Sequence, residues 1–480
     1  MVAARVVAMN VGVALYAWTG VIGAVLAGLA VGNLIAAHRV DAGGRDGAED
    51  QIRRAAIAAG LTAVAVTIVL TAEPIVRALA TVPRVSRLAI VVALIGFVPA
   101  AMLGLAAPPL ARLATLTLAS AGRRLGAIGA ATTAGGLVGT WATGVVLIPC
   151  LGTRGAALVW ALMLVAVVAR RSESRGAAVI LAGCVALAAF IPRGCLVESA
   201  YQCLRVDEET MLDGQRVRVL YLDGLPHAHV AVDDPMALVH DYLAPAAEVA
   251  AYLRPVGGPP PAVLIIGGGG YSLARYFAAI YPGAIVDVIE IDPAVTAVAR
   301  DRLGLRADAP ISIHHGDARS VIGELPAARR YDVIVLDAFA DVVVPYQLVT
   351  AEFDAIVRER LTPDGTYVAL VHDSADRGRL MPAAFRTMSS VFGSADVLAS
   401  GPGVRWNSPV SRTWSVVGSR TPIDPARLRA TRRYTANGPF PTLSEVAPPA
   451  ARERWIAAPG PRILTDDYAP VEQLGALLFE

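Results

Sequence analysis

VLIIGGGG (Val263–Gly270) and, after it, IVDVIEIDP (Ile285–Pro293) decide the fold. Val263–Ile266 is an unbroken run of branched apolar residues, the pattern of a strand buried on both faces, and it stops at four glycines. Ser272–Ile280 reads as a helix. Ile285–Ile291 reads as a second strand closing in Glu290-Ile291-Asp292, with Pro293 at the first-turn position of the next helix. Working outward, Ile311–His315 is a third strand ending in Gly316-Asp317. Val333–Leu336 is a fourth, ending at Asp337, and Tyr367–Val371 a fifth, ending in His372-Asp373. Strands alternating with helices at this spacing predict a doubly wound parallel sheet.

In such sheets ligands bind at the carboxyl ends of the strands. Here those ends carry the turn Gly267, Gly268, Gly269, then Glu290, Asp317, Asp337 and Asp373. Glycines let backbone approach a ligand where side chains would clash. Glu290 lies 23 residues after Gly267, the reach at which an acid takes ribose hydroxyls. Asp317 is placed to meet an adenine amino group, although a strand-end Asp also serves as a helix N-cap. GGGGYS is not a clean GxGxxG, and a dinucleotide domain does not require Asp317 and Asp337. The pattern suits a class I S-adenosylmethionine-type nucleoside site better.

The rest of the 480-residue chain is unlike this region. Mean hydropathy is +0.54. Residues 1–195 hold six acids (Asp41, Asp46, Glu49, Asp50, Glu73, Glu173) of the 40 in the chain. Charge-free stretches cover 6–37, 55–72, 88–111, 125–153, 155–169 and 176–192, with short Arg-bearing loops between them. A bilayer core takes roughly 20 apolar residues of helix, so six membrane spans are expected. The spans carry no ionisable acid or base, which counts against an ion-coupled transporter. Gly28/Gly32 and Gly135/Gly139 allow close helix packing, expected within the domain. Six spans would place the Arg-rich loops 38–54, 112–124 and 170–175 on one face and the C-terminal domain on the other, which positive-inside logic makes the outside. A nucleoside co-substrate is cytosolic, and the expected location is the cell membrane, multi-pass, with the catalytic domain on the cytoplasmic face. A net charge of +2 excludes a strongly basic nucleic-acid binder. The chain has no Lys, so Schiff-base and P-loop lysine chemistry are excluded. Cys150, Cys184, Cys195 and Cys203 show no metal-ligand spacing and read as buried or incidental thiols; no metal site is expected.

From Leu196 the texture changes. RVRVLYLD (Arg216–Asp223) alternates like a strand after a turn at Asp213-Gly214, and RPVGGPPP (Arg254–Pro261) is a linker. The expected architecture is an N-terminal multi-pass α-helical membrane domain (1–195) and a C-terminal α/β class I methyltransferase-like, Rossmann-like domain (196–480). The latter divides into a small β-hairpin layer with a linker helix (196–253) and the nucleoside-binding unit (254–480).

These motifs carry a family resemblance. ESAYQCLRV (198–206), VLYLDGLPHAHVAVDDP (219–235), VLIIGGGG, VDVIEIDP, HHGDA (314–318), YDVIVLDAFADVVVP (331–345), LTPDGTYVAL (361–370) and ILTDDYAPVEQL (463–474) resemble the spermidine synthase (polyamine aminopropyltransferase) family. ALYAWTGVIGAVLAGLAVGN (14–33) and GTWATGVVLIPCLGTRGA (139–156) resemble its membrane-fused branch. The resemblance implies aminopropyl transfer from decarboxylated S-adenosylmethionine, as co-substrate, to a diamine such as putrescine, with release of methylthioadenosine. By position, Gln202 corresponds to a methylthioadenosine contact, Glu290 to the ribose ligand, Asp317 and Ala318 to the adenine pair, and Asp337 to the catalytic base. Asp341 corresponds to a second acid of that loop, Pro345 to the proline closing it, and His240 to a polyamine-side histidine with three extra residues before it. Asp466-Asp467-Tyr468 corresponds to a C-terminal segment over the site. The partners implied are a small-molecule amine and the lipid bilayer, with no nucleic acid; homo-oligomer formation stays open. One departure stands out: the family pattern GGGD ends here in Gly270, with Asp341, Asp233, Asp234 or Asp241 as compensating acids. A methyltransferase of the same fold, and a nucleoside- or polyamine-binding membrane sensor or transporter, are the alternatives.

Overall fold

The computed structural model describes residues 2–11, 15–42, 48–70, 79, 82, 84–115, 121–170, 175–189, 194–211, 214–400, 404–431, 433–435, 438–439, 444–460 and 463–475. The chain divides into two compact units, Met1–Cys203 and Leu204–Glu480.

The first unit is helical. Among the described residues three helices are long and apolar enough to cross a membrane: Ala17–Asp41, Ser86–Ala114 and Ala121–Ala169. The third breaks at Gly152, whose backbone (φ 74°, ψ 173°) leaves the helical region two residues before Arg154, which separates two of the charge-free stretches. Helices Ala48–Leu70 and Arg175–Ala189 cover two more of those stretches. The apolar surface faces outward: Ile22, Leu26 and Leu34 are 57%, 62% and 63% exposed. In water such a face is costly. Gly28 and Gly32 pack within the unit, as expected. A methyl group on Gly28 would meet the Phe97 carbonyl and one on Gly32 the Ala101 carbonyl, while one on Gly104 would come within 2.7 Å of the Leu29 carbonyl. Gly135, by contrast, faces open space.

The cysteine reading needs correction. Cys195 and Cys203 form a disulfide, their Cα atoms 5.4 Å apart, and Cys150 and Cys184 are exposed rather than buried. Spacing alone could not distinguish two thiols from a bridge; the bend at 199–202 brings them together. There the Ser199 amide donates to the Gln202 carbonyl (3.0 Å) and the Gln202 amide to Ser199 Oγ (3.0 Å).

The second unit opens with three antiparallel strands, β1 (Cys203–Thr210), β2 (Arg216–Leu222) and β3 (Leu225–Val230). Helix α1 (Ala244–Leu253) leads through the linker to a larger sheet. That sheet comprises β4 (Ala262–Ile266), β5 (Ile285–Glu290), β6 (Ser312–His315), β7 (Tyr331–Leu336), β8 (Leu361–Ser374), β9 (Ser394–Ala399), β10 (Ser411–Ser419) and β11 (Glu445–Val446). Its order is β11-β9-β10-β8-β7-β4-β5-β6. The five strands β4 to β8 run parallel. The sheet as a whole is mixed rather than purely parallel: β10 inserts antiparallel between β8 and β9. This is the class I methyltransferase-like arrangement. Helices α2 (Ser272–Ile280), α3 (Pro293–Arg302), α4 (Ala318–Glu324), α5 (Ala351–Arg360) and α6 (Leu380–Phe392) connect or follow its strands.

Strand alternation sorts the core. Val263, Ile265, Val333 and Val335 enter one apolar cluster, and Leu264, Ile266, Ile334 and Leu336 the other. Both faces are therefore covered, which explains the unbroken apolar runs in the sequence. The strand order reverses where β4 meets both β5 and β7, and in open α/β sheets ligands bind at the carboxyl ends of the strands at such a point.

Candidate functional site

The Gly turn, Glu290 and Asp337 meet at that reversal. The Gly267 amide donates to the Ile289 carbonyl (2.8 Å), and the Asp337 amide to the Ile266 carbonyl (2.8 Å). Gly267 has φ +104°, and a Cβ there would strike the Asp337 carbonyl, so only glycine lets β7 come this close. Gly269 (φ +47°) faces open space, leaving room for a ligand over the turn.

Glu290 is buried and held by backbone. Its Oε2 accepts from Gly268 (2.7 Å) and Gly269 (3.4 Å), and its Oε1 from Asp292 (2.9 Å). Burial raises its pKa; these amides oppose the shift without cancelling it. Asp337 is treated differently. Its carboxyl has no hydrogen-bond partner among the described residues, and burial pushes its pKa up to about 7. A carboxylate that titrates near neutrality and lacks partners is suited to taking a proton.

The other expected residues divide into groups. Gly316 ties the next strand end to Glu290, donating to its carbonyl (3.1 Å). Asp317 is an N-cap: its Oδ1 accepts from Arg319 (3.0 Å) and Ser320 (3.3 Å), and Ala318 begins the helix it caps. Asp341 stands in a left-handed turn (φ 65°) closed by the Ala340 amide donating to the Val343 carbonyl (2.8 Å). Pro345 follows and caps the short helix Tyr346–Leu348. Gln202 belongs to the first unit, in the bend described above. Asp373, the fifth strand-end acid, has a structural job: it accepts from Ser374 (2.9 Å) and Met381 (2.8 Å), capping α6.

His240 lies in a cluster that the sequence reading did not assemble. Its Nε2 is 2.8 Å from His229 Nδ1, and its ring stacks on Tyr242 at 4.9 Å. Tyr242 OH donates to the His227 carbonyl at 3.5 Å. Burial holds the His227 and His240 pKa values down to about 4, with the neighbouring imidazoles adding to the effect on His240. Burial raises the Tyr242 phenol pKa well above its ordinary value, and the nearby charges of Asp337 and Asp241 add to it. The only hint in the sequence was the alternation His227-Ala228-His229 on a strand. Arg319 was also missed. It grips Asp466 through two nitrogens (2.7 and 2.5 Å) and pins the C-terminal segment beside α4.

Gly270 is closed off. A Cβ there would lie 2.6 Å from Val230 Cγ2 and 2.8 Å from Ala228 Cβ, so β3 fills the space a longer residue needs. Of the acids offered as compensation, Asp241 keeps its side chain 66% exposed and its charge reaches Tyr242. Asp241 is 3.6 Å from Arg412, Asp234 accepts from the Met236 amide (2.9 Å), and Asp233 and Asp234 act on Arg275.

A mixed sheet of this order, with acids at its strand ends, defines the class as a methyltransferase-like α/β fold. Residues 247–400 match the family model described as "Spermine/spermidine synthase domain". A "Probable polyamine aminopropyl transferase" of Bifidobacterium longum is 31% identical over 213 residues, 42% of this chain and 46% of that protein. A "Polyamine aminopropyltransferase" of Vibrio vulnificus is 34% identical over 125 residues, 26% of this chain and 41% of that protein. The chain thus spans less than half the length of these curated relatives. Among solved structures, a probable spermidine synthase from Corynebacterium glutamicum is 23% identical with a TM-score of 0.44, covering 54% of this chain and 92% of that one.

Proposed function

We propose that the chain is a membrane-anchored aminopropyltransferase, taking the aminopropyl group of decarboxylated S-adenosylmethionine onto an amine and releasing methylthioadenosine. The observation that carries this reading is the pairing of two unlike carboxyls at one sheet reversal: Glu290 fixed by amides, Asp337 unpartnered with its pKa raised to about 7. The residues present fit the nucleoside. The open space at Gly269 and the carboxylate of Glu290 would hold the ribose side, with Asp317 and Ala318 toward the base. Pro345 and Asp341 belong to the loop after Asp337 and would border the substrates.

An amine is protonated at neutral pH, and the ammonium carries no lone pair to attack with. Asp337 pairs with it, orients it and accepts its proton. The amine nitrogen then bonds to the aminopropyl carbon as the carbon–sulfur bond breaks, and sulfur keeps the electron pair, losing its positive charge. The test incubates the full chain in detergent with an amine panel and either decarboxylated or ordinary S-adenosylmethionine. Methylthioadenosine release only with the decarboxylated form supports the proposal. Methyl transfer from the ordinary form would instead support a methyltransferase, the reading that Gly270 favours.

The exposed apolar helices of the first unit support insertion in a bilayer. A cytosolic co-substrate argues for catalysis on the cytoplasmic face. One observation favours the opposite face: the Cys195–Cys203 disulfide follows the last apolar helix, and disulfides persist in oxidising compartments. Thiol labelling of intact cells decides between them. A reduced Cys195–Cys203 pair reached only after permeabilisation supports the cytoplasmic face.

A further inference from the structure

We infer that Tyr271, acting through Thr296 and His315, is a positioning residue for the co-substrate: it holds the glycine turn in the shape that lets Glu290 and the turn bind a nucleoside together. The inference rests on the nucleoside reading of this turn under the proposed function, and it adds what keeps the turn ordered.

Four glycines in succession make a backbone that is hard to order, since each takes positive and negative φ with similar ease. A turn of that kind binds weakly unless it is fixed before the ligand arrives. Two of its supports are the β7 end against Gly267 and β3 against Gly270. The support of Gly268 is Tyr271. A Cβ on Gly268 would lie 2.7–2.8 Å from the Tyr271 ring and hydroxyl, so the ring packs directly on this glycine. The Tyr271 amide donates to the Gly268 carbonyl (2.7 Å) and closes the turn. Gly269 is left facing open space.

Tyrosine is a costly choice at position 271. Its backbone is left-handed (φ 56°, ψ 16°), a conformation that glycine takes freely and a bulky residue resists. Such strain persists where the surroundings over-determine it, and it concentrates at ligand sites. Here the surroundings are a chain of side chains. Tyr271 is buried, and its hydroxyl lies 2.7 Å from Thr296 Oγ1, which in turn lies 2.9 Å from His315 Nε2. Thr296 stands in the first turn of α3, the helix capped by Asp292, whose amide donates to Glu290 Oε1. His315 ends β6 and pairs in register with Glu290 on β5. The chain therefore starts at the turn and ends beside Glu290, whose Oε2 accepts from the Gly268 amide. Contacts close a ring around that carboxylate, and the Tyr271–Thr296 hydrogen bond is the link that ties the turn to α3.

The test measures methylthioadenosine binding to the full chain in detergent by calorimetry, a readout that stands whether or not an aminopropyl group is transferred. Tyr271→Phe keeps the ring and loses the link; Thr296→Val loses it from the other side; Thr296→Ser keeps a hydroxyl. Kd is expected to rise about tenfold in the Phe and Val variants and to stay within about twofold in the Ser variant. The Phe/Val double variant should bind within about twofold of the weaker single variant, because both break one bond. In turnover with decarboxylated S-adenosylmethionine, the Phe variant should show KM raised about tenfold and kcat within about twofold. A merely structural residue would lower the number of binding sites per chain and kcat, with the affinity of the remaining sites unmoved. That result, or wild-type Kd in the Phe and Val variants, overturns the inference and leaves the proposed function standing. A wild-type chain that binds no methylthioadenosine overturns the nucleoside reading and the inference with it.

Discussion

The ends of β5 and β7 carry the same chemical group in opposite surroundings. At the β5 end, three backbone amides converge on Glu290; at the β7 end, Asp337 has no partner among the described residues. A carboxylate held by amides is a fixed acceptor, suited to binding. An unpartnered one gains most from taking a proton, which suits a base. On the proposed function, the strand ends separate holding from reacting by how they solvate two carboxyls.

The largest expected effect breaks the reacting half. Asp337→Asn should lower kcat for methylthioadenosine release on the order of 10²- to 10⁴-fold while leaving co-substrate affinity within about twofold. Full activity would remove Asp337 from the chemistry. Next comes Gly270→Asp, which forces a charged side chain against Ala228 and Val230. A loss of about 3 kcal/mol in denaturant unfolding is expected from overpacking and charge burial together. Glu290→Gln sharpens the holding half. It should raise the KM for the co-substrate by about tenfold with a smaller change in kcat, and it should also loosen the Gly turn.

The smallest effect is on stability, and its sign separates the two carboxyls. The folded pKa of Asp337, about 7, lies above the ordinary aspartate value of roughly 3.9. Stability from this group is therefore fully present below about pH 4 and is lost as pH rises through about 7, because the folded state must then carry an uncompensated charge. Partial solvent access reduces that cost. Asp337→Asn should thus leave stability unchanged at pH 4 and raise it by about 1 kcal/mol at pH 8, read as a higher Tm. A lower Tm at pH 8 would mean that the carboxylate is stabilised by a contact.

Much of this site was legible in the sequence because its parts are local. VLIIGGGG and the acids at strand ends are short runs, and the strand-end rule brings them together. Asp317 shows the limit of such reading, since its cap is visible in the structure and its ligand role remains a proposal. What was not legible depends on distant pairing. The antiparallel insertion of β10 rests on Ser411–Ser419 lying against β8. The Arg319–Asp466 pair joins residues 147 apart in sequence, and the His229–His240 contact combines a strand with a loop. The Cys195–Cys203 bridge needed the bend between them.

The pH dependence of kcat/KM for methylthioadenosine release tests the central claim most directly. With Asp337 as an unpartnered base, the acid limb should have its midpoint near pH 7 and should vanish from the residual activity of Asp337→Asn. A limb near pH 4, or one unchanged in the Asn variant, would contradict it.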